Sequence, residues 1–338
     1  MNILFLGPET GTSRHRILAL QRLGHKVYNV NPDRFCPPPP LLSRLDRETG
    51  GLLFQERIAK HVLKAIEGVR YEFTWVESGR AVGPRLVKQL RRSGPVVNYN
   101  HDDPFGRRDR KAWLLYQKTV PHYDLIVVVR EENVAEGYKL GARRVLLRTR
   151  IADEIAHSPR ALTPEDHERW DTDVLFVGTW MPERGPFLAQ LVGRGVPLSI
   201  LGNRWQRAPE WPVLEAVWRG PGTTNDDDYA KAIQCAKICL GLLSKENRDR
   251  HTTRSIEIPA LLGLFCAERT DEHLRLYLDG EEAVYWRDAA ECAAICHRLL
   301  PDEAQRHEIA RKGHQRCLDN GHFNEPLLTD IITEATCR

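Results

Sequence analysis

Two charged side chains three residues apart stand out in an otherwise apolar segment of the chain. Arg254 and Glu257 lie in "HTTRSIEIPALLGLF", and a helix beginning near His251 points both to one side, close to its N-terminus. Buried charges must be paired or hydrogen-bonded, so this placement favours a polar ligand. The carboxylate can accept the two hydroxyls of a ribose, while the arginine and the first-turn amides face phosphate. An ordinary Arg–Glu surface pair, worth a fraction of a kcal/mol, is the alternative.

A second group of candidate phosphate ligands follows the apolar run "DVLFV". Gly178 and Thr179 come directly after this run, and Arg184 lies at the predicted start of the next helix. Glycine lets phosphate oxygens approach backbone N–H groups, and a helix N-terminus favours negative charge. The Thr253 hydroxyl and Lys245, which follows "ICLGLL", are further candidates, although a solvated loop lysine explains Lys245 equally well.

The elements that must position these residues can be predicted from the apolar pattern. Short apolar runs alternate with amphipathic stretches, which predicts α/β domains with doubly wound parallel sheets. The segment 151–171 has two prolines, many charges and no clean period, so we place the domain junction there. We expect a Rossmann-like domain at 1–155, a second at 172–322 and a C-terminal helix at 323–338, with packing on the first domain as one option. Ligands should bind in a cleft between the domains.

The composition is that of an ordinary globular protein, but charge is unevenly distributed. Residues 1–150 carry 27 Lys and Arg against 15 Asp and Glu, a balance of +12, whereas residues 151–338 carry 22 against 31, a balance of −9. A basic half suits an anionic partner such as a phospholipid surface, an acidic glycan or a phosphorylated acceptor. The GxGxxG and GxxxxGK[ST] motifs are absent, which argues against a dinucleotide oxidoreductase and a Walker-type ATPase. The eight cysteines show no CxxC spacing, so we expect reduced thiols without a function.

The second half of the chain resembles a known family of enzymes. The stretches "VGTWMPERGPFLAQL" and "AKICLGLLSKENRDRHTTRSIEIPALLGLFCAERTDEHLRLYLDGEEAVYWRDAAE" are similar to the C-terminal domain of GT-B glycosyltransferases, specifically the group related to the spore-maturation protein CgeB. That group has R-[ST]-[FI]-E-x-P-A, an apolar strand, [ET]-R-T-[DE]-E and an acidic-Gly strand in this order. The resemblance covers about residues 172–300, and "NHDDPF", "YDLIVVV" and "GARRVLLRT" resemble the first domain more loosely.

The resemblance implies a nucleotide-diphosphate sugar in the second domain, as donor substrate rather than cofactor. Glu257 matches the ribose-binding glutamate of the family, and Gly178 and Thr179 match its phosphate-side glycine loop. Arg184 and Arg254 are the implied diphosphate cations. GT-B enzymes do not need a metal bound through an acidic motif, so we expect no metal site and interpret "NDDDY" as a helix cap. Retention and inversion of stereochemistry both stay open.

By the same resemblance, the first domain holds the acceptor and any catalytic base. His101, Asp102 and Asp103 follow the apolar strand "PVVNYN", at the strand end where cleft residues lie. An Asp or His there can take the proton of an acceptor hydroxyl. Asp103 precedes Pro104 and also suits a helix cap, so Asp102 and His101 rank above it.

The loop "GPETGTSRHR" is expected to face the same cleft. Thr12, Ser13 and His15 are its candidate acceptor contacts. Ser13 is also well placed to cap the helix that follows, and this structural interpretation is the simpler one.

These features predict a glycosyltransferase that moves a sugar from a nucleotide-diphosphate sugar to an unidentified acceptor, for which the basic half suggests an anionic molecule. A glycan, a lipid-linked molecule or a protein would serve as acceptor. One alternative is a non-catalytic nucleotide-sugar-binding protein in cell-surface or spore-coat glycan assembly. Nucleic acid is not expected as a partner, because no aromatic–basic recognition motif accompanies the basic half.

The start "MNILFLGPETG" has too short an apolar run for a signal peptide or a membrane span. We therefore expect a cytoplasmic protein. Peripheral contact with the inner face of the membrane, through the basic first domain, is a further option.

Overall fold

A computed structural model describes residues 1–36, 42, 45, 46, 48–223 and 225–337 of the chain. These residues form two compact units, the first comprising Met1–Thr149, Glu246–Arg248 and Asn324–Arg338 and the second Arg150–Lys245 and Asp249–Phe323. The C-terminal helix therefore groups with the first unit, and the segment 151–171, predicted as a junction, lies within the second. Over the described ranges, none of the helices has both the length and the apolar character needed to cross a membrane.

The first unit contains a six-stranded parallel sheet. Its strands are β1 (Asn2–Leu6), β2 (Lys26–Val30), β3 (Phe73–Glu77), β4 (Val96–Asn100), β5 (Leu125–Val128) and β6 (Val145–Leu147). They pair in the order β2-β1-β3-β4-β5-β6. The helices of this unit include α1 (Gly11–Arg22), α2 (Gln55–Ala65), α3 (Pro84–Leu90), α4 (Leu114–Thr119), α5 (Glu131–Lys139) and the C-terminal α14 (Asn324–Thr336).

The second unit contains a five-stranded parallel sheet. Its strands are β7 (Thr172–Val177), β8 (Leu198–Leu201), β9 (Ala236–Gly241), β10 (Phe265–Glu268) and β11 (Val284–Trp286). They pair in the order β11-β10-β9-β7-β8. The helices are α6 (Pro164–Trp170), α7 (Arg184–Gly193), α8 (Trp211–Leu214), α9 (Asp226–Gln234), α10 (Arg254–Ala260), α11 (Asp271–Leu276), α12 (Ala289–Leu299) and α13 (Glu303–Asn320).

Both sheets have the strand order of doubly wound α/β domains, as the sequence predicts. The central strands β3 and β4 are buried along their whole length, because helices cover both faces of a parallel sheet. In the first sheet, β1 and β3 are neighbours, but the chain leaves β1 towards one edge of the sheet and leaves β3 towards the other edge. The same is true of β7 and β9 in the second sheet. The position between two such strands is the topological switch point. Ligands of such sheets bind at this switch point, outside the carboxyl ends of the strands. The fold thus indicates one candidate site in each unit.

Two predicted helix starts differ from those observed. Helix α1 begins at Gly11, with Thr10 in the cap position, so Ser13 lies in the first turn and does not cap the helix. Helix α10 begins at Arg254 rather than near His251. The apolar pattern does not distinguish a preceding turn from a first helical turn, so it does not determine the residue at which a helix begins.

The two predicted aspartate and asparagine caps have opposite outcomes. No helix directly follows Asp103, whose carboxylate instead accepts a hydrogen bond from the Gly106 N–H at 3.0 Å within a turn. The cap interpretation of Asp103 is therefore wrong. In "NDDDY" the prediction is confirmed, because Asn225 Oδ1 accepts from the Asp228 N–H at 2.7 Å and caps α9.

Candidate functional site

The switch point of the second unit is bridged by one arginine. Arg184, the first residue of α7, donates from Nη1 to the Thr179 carbonyl at 2.8 Å and from Nη2 to the Leu242 carbonyl at 3.3 Å. Thr179 follows β7 and Leu242 follows β9, so the guanidinium joins the ends of the two strands at the switch point. The adjoining Gly178 has no room for a side chain, because a Cβ would lie 2.7 Å from the Phe176 ring. The Gly178 carbonyl accepts from Trp205 Nε1 at 2.9 Å, and its N–H donates to the Leu201 carbonyl at 2.9 Å, so hydrogen bonds fix the backbone of the loop here.

The predicted Arg254–Glu257 pair lies next to this loop. Arg254 Nη1 donates to Glu257 Oε2, and Arg254 Nε donates to the Val177 carbonyl at 3.3 Å, at the end of β7. The Tyr229 hydroxyl donates to the same carboxylate oxygen at 3.0 Å, while the other oxygen lies 3.6 Å from His157 Nε2. The structure thus brings Arg254, Glu257 and the Gly178–Thr179 loop together within one domain.

The Glu257 carboxylate is buried yet remains charged. Only 2% of the residue is exposed, and burial alone would raise the pKa of this carboxyl. The positive charge of Arg254, the neighbouring His157 ring and the Tyr229 hydrogen bond outweigh burial, so the pKa of Glu257 lies below its ordinary value. Glu257 is therefore an anionic hydrogen-bond acceptor at neutral pH.

The remaining donor-side candidates lie near the same sheet edge. Lys245 and Arg184 line a cavity of about 90 Å³ at the ends of β9 and β10, and Lys245 Nζ lies 3.2 Å from Glu268 Oε1. Thr253 directly precedes α10, and its side chain makes no capping bond. Phe187 and Trp286, whose rings stack with centroids 4.3 Å apart, also line this cavity. Sequence reasoning missed this aromatic pair, because "RGPF" and "VYW" are typical of ordinary core segments.

A larger cavity of about 330 Å³ lies at the switch point of the first unit. It is lined by the loops after β1 and β3 and by His101, the first residue after β4. Thr12 and Ser13 line it, and their role as acceptor contacts stays a prediction. His15 and Asp102 are not among its lining residues, and His15 is buried within α1.

A buried glutamate at the base of this cavity lies beside His101. Glu77, the last residue of β3, accepts from Arg16 Nε at 2.9 Å and from Trp75 Nε1 at 3.0 Å. His101 Nδ1 lies 3.5 Å from Glu77 Oε1. The turn that follows β3 begins with Ser78 at φ 60°, a left-handed conformation that is uncommon outside glycine and concentrates at functional sites.

The Arg16–Glu77 pair is deeply buried. The two side chains are 4% and 2% exposed. Burial would raise the pKa of Glu77, but the Arg16 guanidinium, its hydrogen bonds and the neighbouring His101 ring outweigh burial and lower the pKa to about 2. Sequence reasoning missed both residues. The only available signal was an acidic residue that ends the strand-like run "FTWV".

Asp103 makes its contacts with other side chains of the first unit and does not line the cavity. Its carboxylate accepts from Arg248 Nε at 2.6 Å and from Asn133 Nδ2 at 2.9 Å, and Arg248 also pairs with Glu136 at 2.8 Å. These contacts lower the pKa of Asp103 below its ordinary value despite burial. Asp103 therefore ties the segment 246–248 to its own unit, which explains why it is absent from the lining of the cavity.

Comparisons with known proteins agree with this geometry. Residues 184–333 match the family described as Glycosyl transferase-like. Among solved structures, the chain is similar to sucrose-phosphate synthase from Thermosynechococcus elongatus, with a TM-score of 0.69 and 12% identity over 99% of this chain and 98% of that chain. No curated protein sequence matches this chain.

Two further structures share the fold. Anabaena HepE, solved in complex with UDP-glucose, has a TM-score of 0.66 and 11% identity over 99% of this chain and 100% of that chain. The α,α-trehalose 6-phosphate synthase of Burkholderia multivorans has a TM-score of 0.66 and 11% identity over 99% and 98% of the two chains. The fold class is confirmed, whereas membership of the CgeB-related group stays a prediction. The chain has the two Rossmann-like domains of the GT-B fold, and its residues 184–333 match a glycosyltransferase-like family.

Proposed function

We propose that this protein transfers a sugar from a nucleotide-diphosphate sugar to an acceptor hydroxyl. The observation that carries the proposal is the meeting of Arg254, Glu257 and Arg184 at the Gly178–Thr179 loop, at the switch point of the second sheet. Each feature matches one property of a nucleoside diphosphate. The backbone loop suits the phosphate oxygens, the two guanidinium groups suit their negative charge, and the ionised carboxylate suits the ribose hydroxyls.

In this proposal the diphosphate lies against the Gly178–Thr179 loop. Arg184 and Arg254 supply the positive charge that would otherwise come from a metal ion, so the reaction needs none. Tyr229 and Arg254 hold Oε2 of Glu257. Oε1, which lies 3.6 Å from His157 Nε2, is the proposed acceptor for a ribose hydroxyl.

The first unit supplies the acceptor side of the proposal. The acceptor hydroxyl lies in the cavity lined by Thr12, Ser13 and His101, and His101 Nε2 takes its proton as the new bond to the anomeric carbon forms. The bond between that carbon and the diphosphate oxygen breaks, and the nucleoside diphosphate leaves. In the proposed reaction Glu77, whose Oε1 lies 3.5 Å from Nδ1, orients the ring as carboxylates do for other catalytic histidines. Arg80 lines the same cavity and suits an anionic acceptor.

The nature of the acceptor and the place of the reaction extend the proposal further. A glycan, a lipid-linked molecule or a protein would present the hydroxyl group. The reaction takes place in the cytoplasm, and the basic first domain favours contact with an anionic membrane surface. The CgeB-related group and the cleft between the domains stay predictions.

Glu257→Gln should abolish the stabilisation of the protein by its nucleotide. A panel of UDP, GDP, CDP, ADP and dTDP, with matching sugar nucleotides, would be tested by thermal shift. A ligand at 100 times its Kd stabilises the native state by about 2.7 kcal/mol. The nucleotide with the preferred base should therefore raise the melting temperature more than the others. Glu257→Gln keeps the shape of the side chain but removes the charge, and should lose this shift.

Glu308→Gln is the matched control, because Glu308 is an exposed carboxylate on α13 of the same unit. It should respond to the nucleotide as the wild type does. Each shift is measured from the variant's own melting temperature, which separates binding from stability. An undiminished shift in Glu257→Gln would refute the ribose role, and consumption of the sugar nucleotide by the wild type separates a transferase from a binding protein.

A further inference from the structure

Three side chains of metal-ligand type meet at the edge of the second sheet opposite to the donor site. His167, Asp171 and Cys235 each offer a ligand atom, and these atoms all lie within 4.8 Å of one another. His167 Nδ1 and Asp171 Oδ1 are 2.8 Å apart. The His and Asp side chains are exposed, whereas the cysteine is buried. Scattered cysteines predicted no ligand site, because Asp171 and Cys235 are far apart in the sequence.

The fold brings them together through two neighbouring strands. Asp171 is the last residue before β7, and Cys235 is the last residue before β9. The two strands pair in parallel with Thr172 opposite Ala236, so the residues that precede them lie side by side. His167 is one helical turn before Asp171, on α6, and therefore projects to the same place.

The electrostatic surroundings favour a cation. Helices α6 and α9 both end here, with Asp171 and Cys235 as their C-cap residues, and helix C-termini carry partial negative charge. The nearest lysines are already paired, Lys231 with Asp166 at 3.1 Å and Lys237 with Asp173 at 2.6 Å. Their positive charge is therefore largely offset by neighbouring carboxylates.

The cluster also opens on a cavity. All three side chains line a space of about 720 Å³, whose opposite wall includes His307 on α13. This space admits water as a further ligand. Because the ligand sets of catalytic and structural zinc sites combine imidazole, carboxylate and thiolate, the chemistry of the three groups suits zinc better than magnesium or calcium, which take oxygen ligands.

We infer that His167, Asp171 and Cys235 form a binding site for a divalent transition metal of the zinc type, with water as the fourth ligand. Zinc lies about 2.0–2.3 Å from N, O and S ligands, which places the ligand atoms roughly 3.3–3.7 Å from one another. His167 Nδ1 and Asp171 Oδ1, now 2.8 Å apart, must therefore separate slightly, and the cysteine sulfur must lie within that distance of both. The exposed His and Asp side chains can make this adjustment by rotation. The metal would join α6 to the starts of β7 and β9 and would take no part in catalysis, because the donor residues lie at the other ends of these strands.

The test is zinc binding by protein that carries no polyhistidine tag. Zinc affinity is measured by competition with a chromophoric chelator, and cobalt is used as a probe because a thiolate–cobalt bond absorbs in the near ultraviolet. The wild type should bind one equivalent. Cys235→Ser and His167→Gln should bind zinc at least tenfold more weakly, since even loss of an outer-shell partner costs about 10–100-fold. Cys235→Ser should also lose the cobalt–thiolate band.

His307→Gln is the matched control, because His307 lines the same cavity but is not one of the three ligands. It should bind zinc as the wild type does. If Cys235→Ser folds poorly, His167→Gln still tests the inference, because His167 is exposed and its substitution should leave the fold intact. Absence of one-equivalent binding in the wild type, or equal affinity in His167→Gln, would overturn the inference. Nucleotide binding is measured in parallel and should not change in His167→Gln, so failure of the metal site and failure of the donor site are distinguishable.

Discussion

His101→Gln should lower kcat by about 10²–10⁴-fold, the range that general-base catalysis contributes. The glutamine is similar in size and polar, but it cannot accept a proton from the acceptor hydroxyl. Donor affinity should not change, because His101 belongs to the cavity of the first unit and the proposed donor residues to the second. The rate is measured as release of the nucleoside diphosphate from the donor identified by thermal shift, with KM and kcat determined separately.

Asp102→Asn is the control for this substitution. Asp102 is the next residue in the chain and an equal candidate from the sequence, but it does not line the cavity. It should retain kcat within a few-fold of the wild type. The opposite result, a large loss in Asp102→Asn with little change in His101→Gln, would assign the proton transfer to Asp102 and contradict the proposed dyad.

The parts of the site that the sequence predicted are those that depend on local spacing. Arg254 and Glu257 are three residues apart on one helix, so their contact follows from helical geometry. Gly178 and Thr179 directly follow an apolar run, and the end of a strand is where ligands bind in this fold. Alternation of strands and helices likewise predicted both sheets, because parallel strands need crossover connections.

The parts that the sequence did not predict depend on contacts between distant residues. Arg16 and Glu77 are 61 positions apart, and neither residue has a local pattern that indicates the partner. The sequence indicates His15 as a candidate of the first cavity, whereas it is the neighbouring Arg16 that contacts Glu77. On a helix, adjacent residues point about 100° apart, so only one of the two can face the carboxylate at the end of β3. Cys235 and Asp171 are also distant in the sequence, and their proximity follows only from the pairing of β7 with β9.

Glu77→Gln should destabilise the first unit by about 3–5 kcal/mol, because it leaves the guanidinium of Arg16 buried without an opposite charge. The pH dependence gives an independent estimate. The pKa of Glu77 is lowered from 4.5 to about 2, and a shift of this size corresponds to about 3 kcal/mol. Because the folded-state pKa is the lower one, this stability is present above pH 4.5 and is lost as the pH falls towards 2. Urea unfolding of wild type and variant should therefore converge at acid pH.

Two further variants separate the stabilising role of Glu77 from its role in orienting His101. Glu67→Gln removes an exposed carboxylate of the same unit and should leave the unfolding curve unchanged. The double variant Arg16→Met/Glu77→Leu removes both buried charges and should recover much of the lost stability, since apolar residues commonly replace a buried ion pair without cost. It should still be slow in catalysis, because nothing then holds Nδ1 of His101. A double variant that is both stable and fully active would show that the buried pair serves the fold alone.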